Sequence, residues 1–302
     1  MAKTKKSGFK SKNYVVESND LVLRAYNDMK ITEMKIFDVL VSCIDTSNPK
    51  KEVFITKSEL MDAIGLSKGN YTFLKDSLKA LRAKNFYIYN EEHNSTIITG
   101  LINEVEWFHD RDIVKVVFGE RIMKYLIVHS DFFMSNLAYI KKINSKSSMM
   151  LYKALLSKFK ITKRNVIEID VDDIRLLLNF QDSYERFHNL KVRVLDPAVS
   201  DINKADLLFK ISYEEIKNGR EIISIKFNLI FPDNIEKTLE DEKKLLEKIA
   251  ADRKKIEDED SDFFRNRNAD DNVSCDYDQE TGEILESAAD IEIEEGDLPF
   301  FY

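Results

Sequence analysis

Apolar residues recur with a helical period along "TEMKIFDVLVSCID", where Phe37, Leu40, Val41 and Ile44 share one face. That spacing predicts an amphipathic helix, with Thr32 placed as its N-cap. The short apolar run "EVFIT" predicts a strand, and "KSELMDAIGL" a helix that Gly65 ends. After the turn "SKGN", the period returns in "YTFLKDSLKALRAK", with Tyr71, Leu74, Leu78 and Leu81 as the buried stripe. The segments "NFYIYN", "STIITGLINEVEW" and "DIVKVVFG" are rich in β-branched and aromatic residues and predict strands.

The same order returns over residues 145–230. "SKSSMMLYKALLSKF" predicts a helix, "VIEID" a strand, "VDDIRLLLNF" a helix and "QDS" a turn. A long helical stretch, "YERFHNLKVRVLDPAVSDIN", follows. Two strands then flank "KNGR", where Asn218-Gly219 predicts a type I′ hairpin turn. Individual positions match as well. Phe37, Leu40, Val41 and Ile44 recur as Tyr152, Leu155, Leu156 and Phe159, while Ile55, Leu60 and Ile64 recur as Ile169, Ile174 and Leu178. Leu74 and Leu81 recur as Phe187 and Val194, so the offset drifts only from 115 to 113. The chain reads as a duplicated module. Helix, strand, helix, turn, helix and hairpin is the order of a winged helix. Between the copies, "ERIMKYLIVHSDFFMSNLAYIKKIN" is mostly apolar, which predicts a packed helical linker rather than a loose tether.

Pro197 interrupts the long helical stretch. Inside a helix a proline removes a donor and meets the carbonyl four residues back, at a cost of roughly 3 kcal/mol. The reading that avoids this cost splits the stretch in two. Residues 184–195 form a recognition helix. Asp196 then caps a new segment, 197–203, with Pro197 at its first position, where a missing donor costs nothing.

Composition narrows the class. Of 302 residues, 43% are hydrophobic and 33% charged, a soluble globular balance with room for two domains. No apolar run approaches the roughly 20 residues of a membrane span. The lysine-rich start "MAKTKKSGFKSK" lacks the apolar core of a secretory signal. Cys43 and Cys275 lie far apart in unlike surroundings, which points to a reducing cytoplasm. Charge is lopsided. From Thr238 onward there are 22 acidic and 8 basic residues, net −14, leaving 32 acidic and 38 basic residues before it, net +6. A basic body with an acidic tail suits a nucleic-acid binder, and equally a body with a solubilising tail.

Neither a phosphate loop nor a dinucleotide fingerprint is present, and the four histidines have no metal-ligand spacing, so no catalytic residue, metal site or cofactor is assigned. What remains is basic residues on helix faces. In the first module Lys75, Lys79 and Arg82 form a stripe opposite the leucines, with Lys68 in the turn before them. In the second, Arg186, Asn189 and Arg193 point away from the apolar face, flanked by His188 and Lys191. Arg and Asn can pair bidentately with guanine and adenine edges in the major groove. Lys217 and Arg220 flank the second hairpin tip, where a wing would meet phosphate. Lys163 and Arg164 are placed to do the same or to decorate a loop. An ordinary solvated helix face would show similar stripes.

On these residues the chain resembles the plasmid replication initiator (Rep) family of iteron plasmids. "SNDLVLRAYNDMKITEMKIFDVLVSCI" is similar to the family's opening segment, and "SKSSMMLYKALLSKFK" to its Leu-Tyr-x-Leu-Leu-type helix. "RVLDPAVSDIN", with its "KNGR" wing and strand, is the most distinctive part. The resemblance runs over about residues 18–230. It implies an α+β chain of two tandem winged-helix domains, at 18–120 and 144–232, joined by a helical linker at 121–143. A basic flexible N-terminus, 1–17, precedes them. A charged helix, 233–256, and a disordered acidic tail, 257–302, follow.

The resemblance further implies binding of double-stranded origin repeats (iterons) as a monomer, and of an inverted repeat at the chain's own promoter as an autorepressing homodimer. The first domain would supply dimer and DNA-backbone contacts, the second the specific recognition. Host replication proteins, among them an initiator and a helicase, would be recruited. The tail's apolar end, Leu298, Pro299, Phe300 and Phe301, is a candidate partner-binding tip, with the sliding clamp one candidate receiver. Two readings of other classes stand beside this one: a tandem winged-helix transcription repressor, and a phage or primosomal interaction protein.

Overall fold

The structure, a computed structural model, describes residues 14–251 apart from 46–48, 68, 91–92, 128–131, 181–182, 234, 246 and 249–250. The chain opens with β1 (Tyr14–Ser18), α1 (Asn19–Leu23) and β2 (Ala25–Asn27). The first module then runs α2 (Ile31–Ser42), β3 (Glu52–Ile55), α3 (Lys57–Ile64), α4 (Tyr71–Arg82), β4 (Asn85–Asn90), β5 (Ser95–Gly100), β6 (Ile102–Trp107) and β7 (Val114–Phe118). Next come α5 (Glu120–Leu126), β8 (Phe132–Asn136) and α6 (Leu137–Lys142). The second module runs α7 (Lys146–Thr162), β9 (Val166–Asp170), α8 (Val171–Leu177), α9 (Phe187–Leu190), a π-helical turn at Lys191–Leu195, α10 (Asp196–Lys204), β10 (Lys210–Asn218) and β11 (Glu221–Ile230).

The duplication is visible in the strand pairing. The strand after each module's first helix pairs antiparallel with that module's last strand: β3 with β7, Ile55 opposite Val114, and β9 with β11, Ile169 opposite Ile225. The resulting sheets, β3-β7-β6 and β9-β11-β10, have the same topology. The first module carries an extra hairpin. β4 and β5 are inserted after α4 and pair with each other, and β4 also pairs with β2, in a separate sheet, so the β-rich stretch 95–107 breaks at buried Leu101.

Local signals account for most boundaries. Thr56 caps α3 by accepting the Glu59 N–H at 3.1 Å, the Glu59 carboxylate accepts the Thr56 N–H in return, and Gly65 closes the helix at φ 79°. At α2 the expected cap is corrected. The helix starts at Ile31, one residue before Thr32, because Glu33 reaches back to accept the Lys30 N–H at 2.8 Å. Tyr71 is 41% exposed and lies off the stripe made by Leu74, Leu78 and Leu81, which is buried.

Two terminal expectations change as well. The segment 121–143 is not helical throughout. β8 lies within it and pairs along its length with β1, Val15 opposite Ser135, so the last residues of the expected flexible N-terminus form a strand. Beyond β11, residues 235–245 are helical, and buried Glu242 meets Lys160 of α7 at 2.7 Å. The acidic tail and its apolar tip lie outside the described residues.

One hydrophobic core runs through both modules, built around α2 and α7, where Ile36, Leu40, Leu151 and Leu155 are fully buried. Among the described residues, no helix is long and apolar enough to cross a membrane.

Candidate nucleic-acid interface

In the first module, burying Leu74, Leu78 and Leu81 turns the opposite face of α4 outward, and Lys75, Lys79 and Arg82 are all exposed there. Arg82 is partly committed, because its Nε donates to the Asn103 carbonyl at 3.0 Å. Lys68 lies outside the described residues. The β6–β7 loop carries His109, Asp110, Arg111 and Asp112, a mixed-charge tip unlike a basic wing. Sequence reasoning missed what holds that tip. The largely buried Lys57 sends its ammonium to the carbonyls of Phe108 and Arg111 at 2.5 and 2.7 Å, with the Trp107 ring 4.6 Å away. Lysine at the start of an amphipathic helix reads as a solvated charge, so the sequence carried no signal for it.

In the second module the expected recognition helix is corrected at both ends. It starts at Phe187 rather than residue 184. Tyr184 has φ 56°, and Arg186 sits at the N-cap with extended backbone. Arg175 of α8 sets this start. Its Nη2 donates to the carbonyls of Tyr184 and Glu185 at 3.4 and 2.9 Å, and its Nη1 meets Asp172 at 2.8 Å.

The C-terminal end does not break at Asp196. Asp196 is helical (φ −59°, ψ −46°) and donates its N–H to the Lys191 carbonyl five residues back, so the helix passes into α10 through a π-turn. The proline is therefore accommodated by widening one turn rather than by starting a new helix. The Asp196 carboxylate, freed from capping, accepts a short hydrogen bond from the Tyr213 hydroxyl of β10.

The wide turn also sets which residues face out. Leu190, Val194 and Leu195 are buried together, and His188, Asn189, Val192 and Arg193 are exposed. Arg186 is exposed at the helix start. Lys191 is drawn aside to Glu215 of β10, Nζ to Oε1 2.6 Å, beside the Tyr213 ring, and this partner raises its pKa. Lys191 and the Asp196–Tyr213 pair therefore brace the helix against the wing strand, while Asn189 and Arg193 stay presented.

The wing turn is also shifted by one residue. Asn218 pairs with Glu221, which leaves Gly219 and Arg220 as the central pair. Only Gly219 has positive φ, at 63°, the pattern of a type II′ rather than a type I′ turn. Arg220 thus occupies the tip, and Lys217 lies at a bulge beside Glu215, 3.8 Å away. Arg220, Glu185, Asp172 and Phe187 line an open cleft of about 650 Å³ between the wing and the helix start.

Lys163 and Arg164 are exposed but belong elsewhere. They precede β9 where Val166 pairs with Asn228, nine residues of strand from Gly219, or about 30 Å. The second module thus gathers Arg186, His188, Asn189, Arg193, Lys217 and Arg220 around one helix and one wing, and leaves Lys163 and Arg164 at the far end of the sheet.

Two copies of helix, strand, helix, helix and hairpin, each with its first strand paired to its last, define a tandem winged-helix protein. Family models carry this further. The model for the initiator replication protein WH1 domain (Rep3_N) matches residues 14–156, and the WH2 model (Rep3_C) matches residues 170–229. The chain belongs to the Rep3 family of initiator replication proteins.

It is 26% identical over 200 residues to a replication initiation protein of Escherichia coli, a match that spans 63% of this chain and 61% of that relative. Its fold matches a crystal structure of the Pi initiator protein in complex with iteron DNA, with TM-score 0.62 and 17% identity, covering 74% of this chain and all of that one.

Proposed function

We propose that the chain is a plasmid replication initiator that binds repeated double-stranded sites at an origin, with the second module reading sequence and α4 holding the DNA backbone. The observation that carries this is the outward face of the π-turn helix. Exposed Asn189 and Arg193, side chains able to pair bidentately with base edges, are held in place by Arg175 and Lys191 and flanked by a wing tipped with Arg220. The same fold in an initiator bound to iteron DNA supports this placement.

The reading extends to repression of the chain's own promoter as a dimer joined through the first module, and to recruitment of host replication proteins, with the Leu298–Phe301 tip as one contact. The domain limits 18–120 and 144–232 and a cytoplasmic location belong to the same reading.

The decisive test is autonomous replication. A selectable circle carrying only this gene and its flanking DNA should be maintained, and Arg193→Ala should abolish maintenance while leaving the protein folded. A circle that is lost, while the protein still silences a reporter from its own promoter, would identify a repressor instead. Recruitment is tested separately by titrating a peptide of residues 288–302 against the sliding clamp and single-strand-binding partners.

A further inference from the structure

Val192 is half exposed, at 50%, in the middle of the π-turn, on the face that carries His188, Asn189 and Arg193. Among the described residues, nothing in the packing explains it. Its neighbours Leu190, Val194 and Leu195 fill the core, and Val192 points away from them. Valine is also a poor choice for an exposed helical position, where straight-chain polar residues cost less rotamer freedom. A solitary surface valine would need no explanation on an ordinary helix. Here its neighbours are the side chains best suited to base edges, and the helix is braced to the wing on both sides, by Lys191–Glu215 and Asp196–Tyr213.

The major groove offers one apolar feature that distinguishes a base pair, the 5-methyl group of thymine. A branched apolar side chain between hydrogen-bonding readers has the chemistry to contact that group, while Asn189 and Arg193 read neighbouring donors and acceptors. We propose that Val192 is a specificity-determining residue that reads a thymine methyl in the DNA site of the second module. The inference rests on the DNA-reading role given above to this helix.

The test uses full-length protein and a duplex site selected with it from a random pool. Each thymine of the selected site is replaced in turn by deoxyuridine, which removes only the methyl group. One replacement should weaken wild-type binding about three- to tenfold, the scale of one buried methyl contact. Val192→Ala should lose a similar factor on the thymine duplex and nothing further on that deoxyuridine duplex. Its melting temperature should match wild type, because the side chain it shortens is outside the core.

A site that depends on Asn189 and Arg193 but is indifferent to every thymine methyl would overturn the inference and leave the DNA-reading role standing. Losses from Val192→Ala and deoxyuridine that simply multiply would overturn it as well. A pool that yields no enriched sequence would overturn both.

Discussion

Lys153 Nζ lies 2.7 Å from Asp38 Oδ1, and the two residues hold the same position in the two repeated modules, 115 residues apart. Asp38 follows Phe37 on α2 as Lys153 follows Tyr152 on α7, so the first helices of both modules meet through equivalent residues of opposite charge. Glu17 of β1 completes the group at 2.9 Å. All three are buried, at 1%, 7% and 3% exposure for Asp38, Lys153 and Glu17. Asn179 Nδ2 and Lys146 Nζ also reach the Asn27 carbonyl, at 2.6 and 2.7 Å, so polar contacts join the modules alongside their shared apolar core.

Removing the shared cation strands two carboxylates in the core. Lys153→Met should cost about 3–5 kcal/mol in urea unfolding. Neutralising all three positions together, with Glu17→Gln, Asp38→Asn and Lys153→Met, should recover most of that loss, because no unpaired charge remains. A triple variant as unstable as the single one would show that the packing of the lysine stem, not its charge, holds the seam.

The same group sets a pH dependence. Burial pushes the Asp38 carboxyl up to about 7, against the pull of Lys153, and the facing Glu17 carboxylate adds to the rise. Between the ordinary aspartate value near 4 and about 7, the folded protein holds a proton that the unfolded chain has released. Stability from this group is therefore fullest at low pH and declines as pH rises through that window. Wild type should lose on the order of 1–3 kcal/mol more than Asp38→Asn between pH 5 and pH 8, measured by urea unfolding. Parallel curves for the two proteins would refute the assignment.

On DNA, the two helix faces should behave differently. Arg193→Ala should lose roughly 1–3 kcal/mol on the selected site and much less on random duplex if, as proposed, Arg193 reads a base edge. Lys75→Ala and Lys79→Ala should weaken both duplexes alike and reduce the salt slope by about one each. Equal losses on both duplexes for Arg193→Ala would make it a phosphate contact.

The modules were legible because each buries a helical stripe. Leu40, Leu60, Leu74 and Ile174 all lie in the core, as their spacing required. The seam was not legible. Asp38 and Lys153 sit on helices at positions that read as solvated charges, and only the meeting of α2 with α7 turns them inward. The pairing of β1 with β8 joins segments more than a hundred residues apart, so neither signals it locally. At the candidate interface, the β10–β11 hairpin was readable but its turn was not, because the pairing of Asn218 with Glu221 moves the tip to Gly219 and Arg220. The helix start was not, because Tyr184 and Glu185 are held by Arg175 from another helix. The commitment of Lys191 to Glu215, 24 residues away, was hidden in the same way.

Gly119 offers a steric test. A Cβ there would stand 2.7 Å from the Gly100 carbonyl oxygen, a backbone atom that cannot swing away, while the Gly119 N–H is bonded to the Leu101 carbonyl at 3.0 Å. Gly119→Ala should cost about 1–3 kcal/mol by thermal or urea unfolding. Gly219→Ala, at the open wing tip with φ 63°, meets no atom within 4 Å and should cost about 1–2 kcal/mol through backbone strain alone. A neutral Gly119→Ala would mean that the two strand ends part freely.

Pro197 gives the sharpest link between sequence and reading face. Its ring leaves no N–H to bond the Arg193 carbonyl and would collide with that carbonyl in a regular helix, so the chain widens one turn immediately before it. The widened turn is what buries Val194 and Leu195 side by side and turns Val192 and Arg193 outward together. Alanine at 197 would restore a donor and remove the collision, allowing the turn to tighten and rotate the preceding residues about the helix axis. Packing of Leu195 opposes that rotation, so overall stability should change by only about 1 kcal/mol. Site-specific affinity should fall by more than affinity for random duplex, with Arg193→Ala adding less in the Pro197→Ala background than in wild type, because the two changes act on one geometry. Pro197→Ala binding the selected site as wild type does would show that core packing, not the proline, holds the turn.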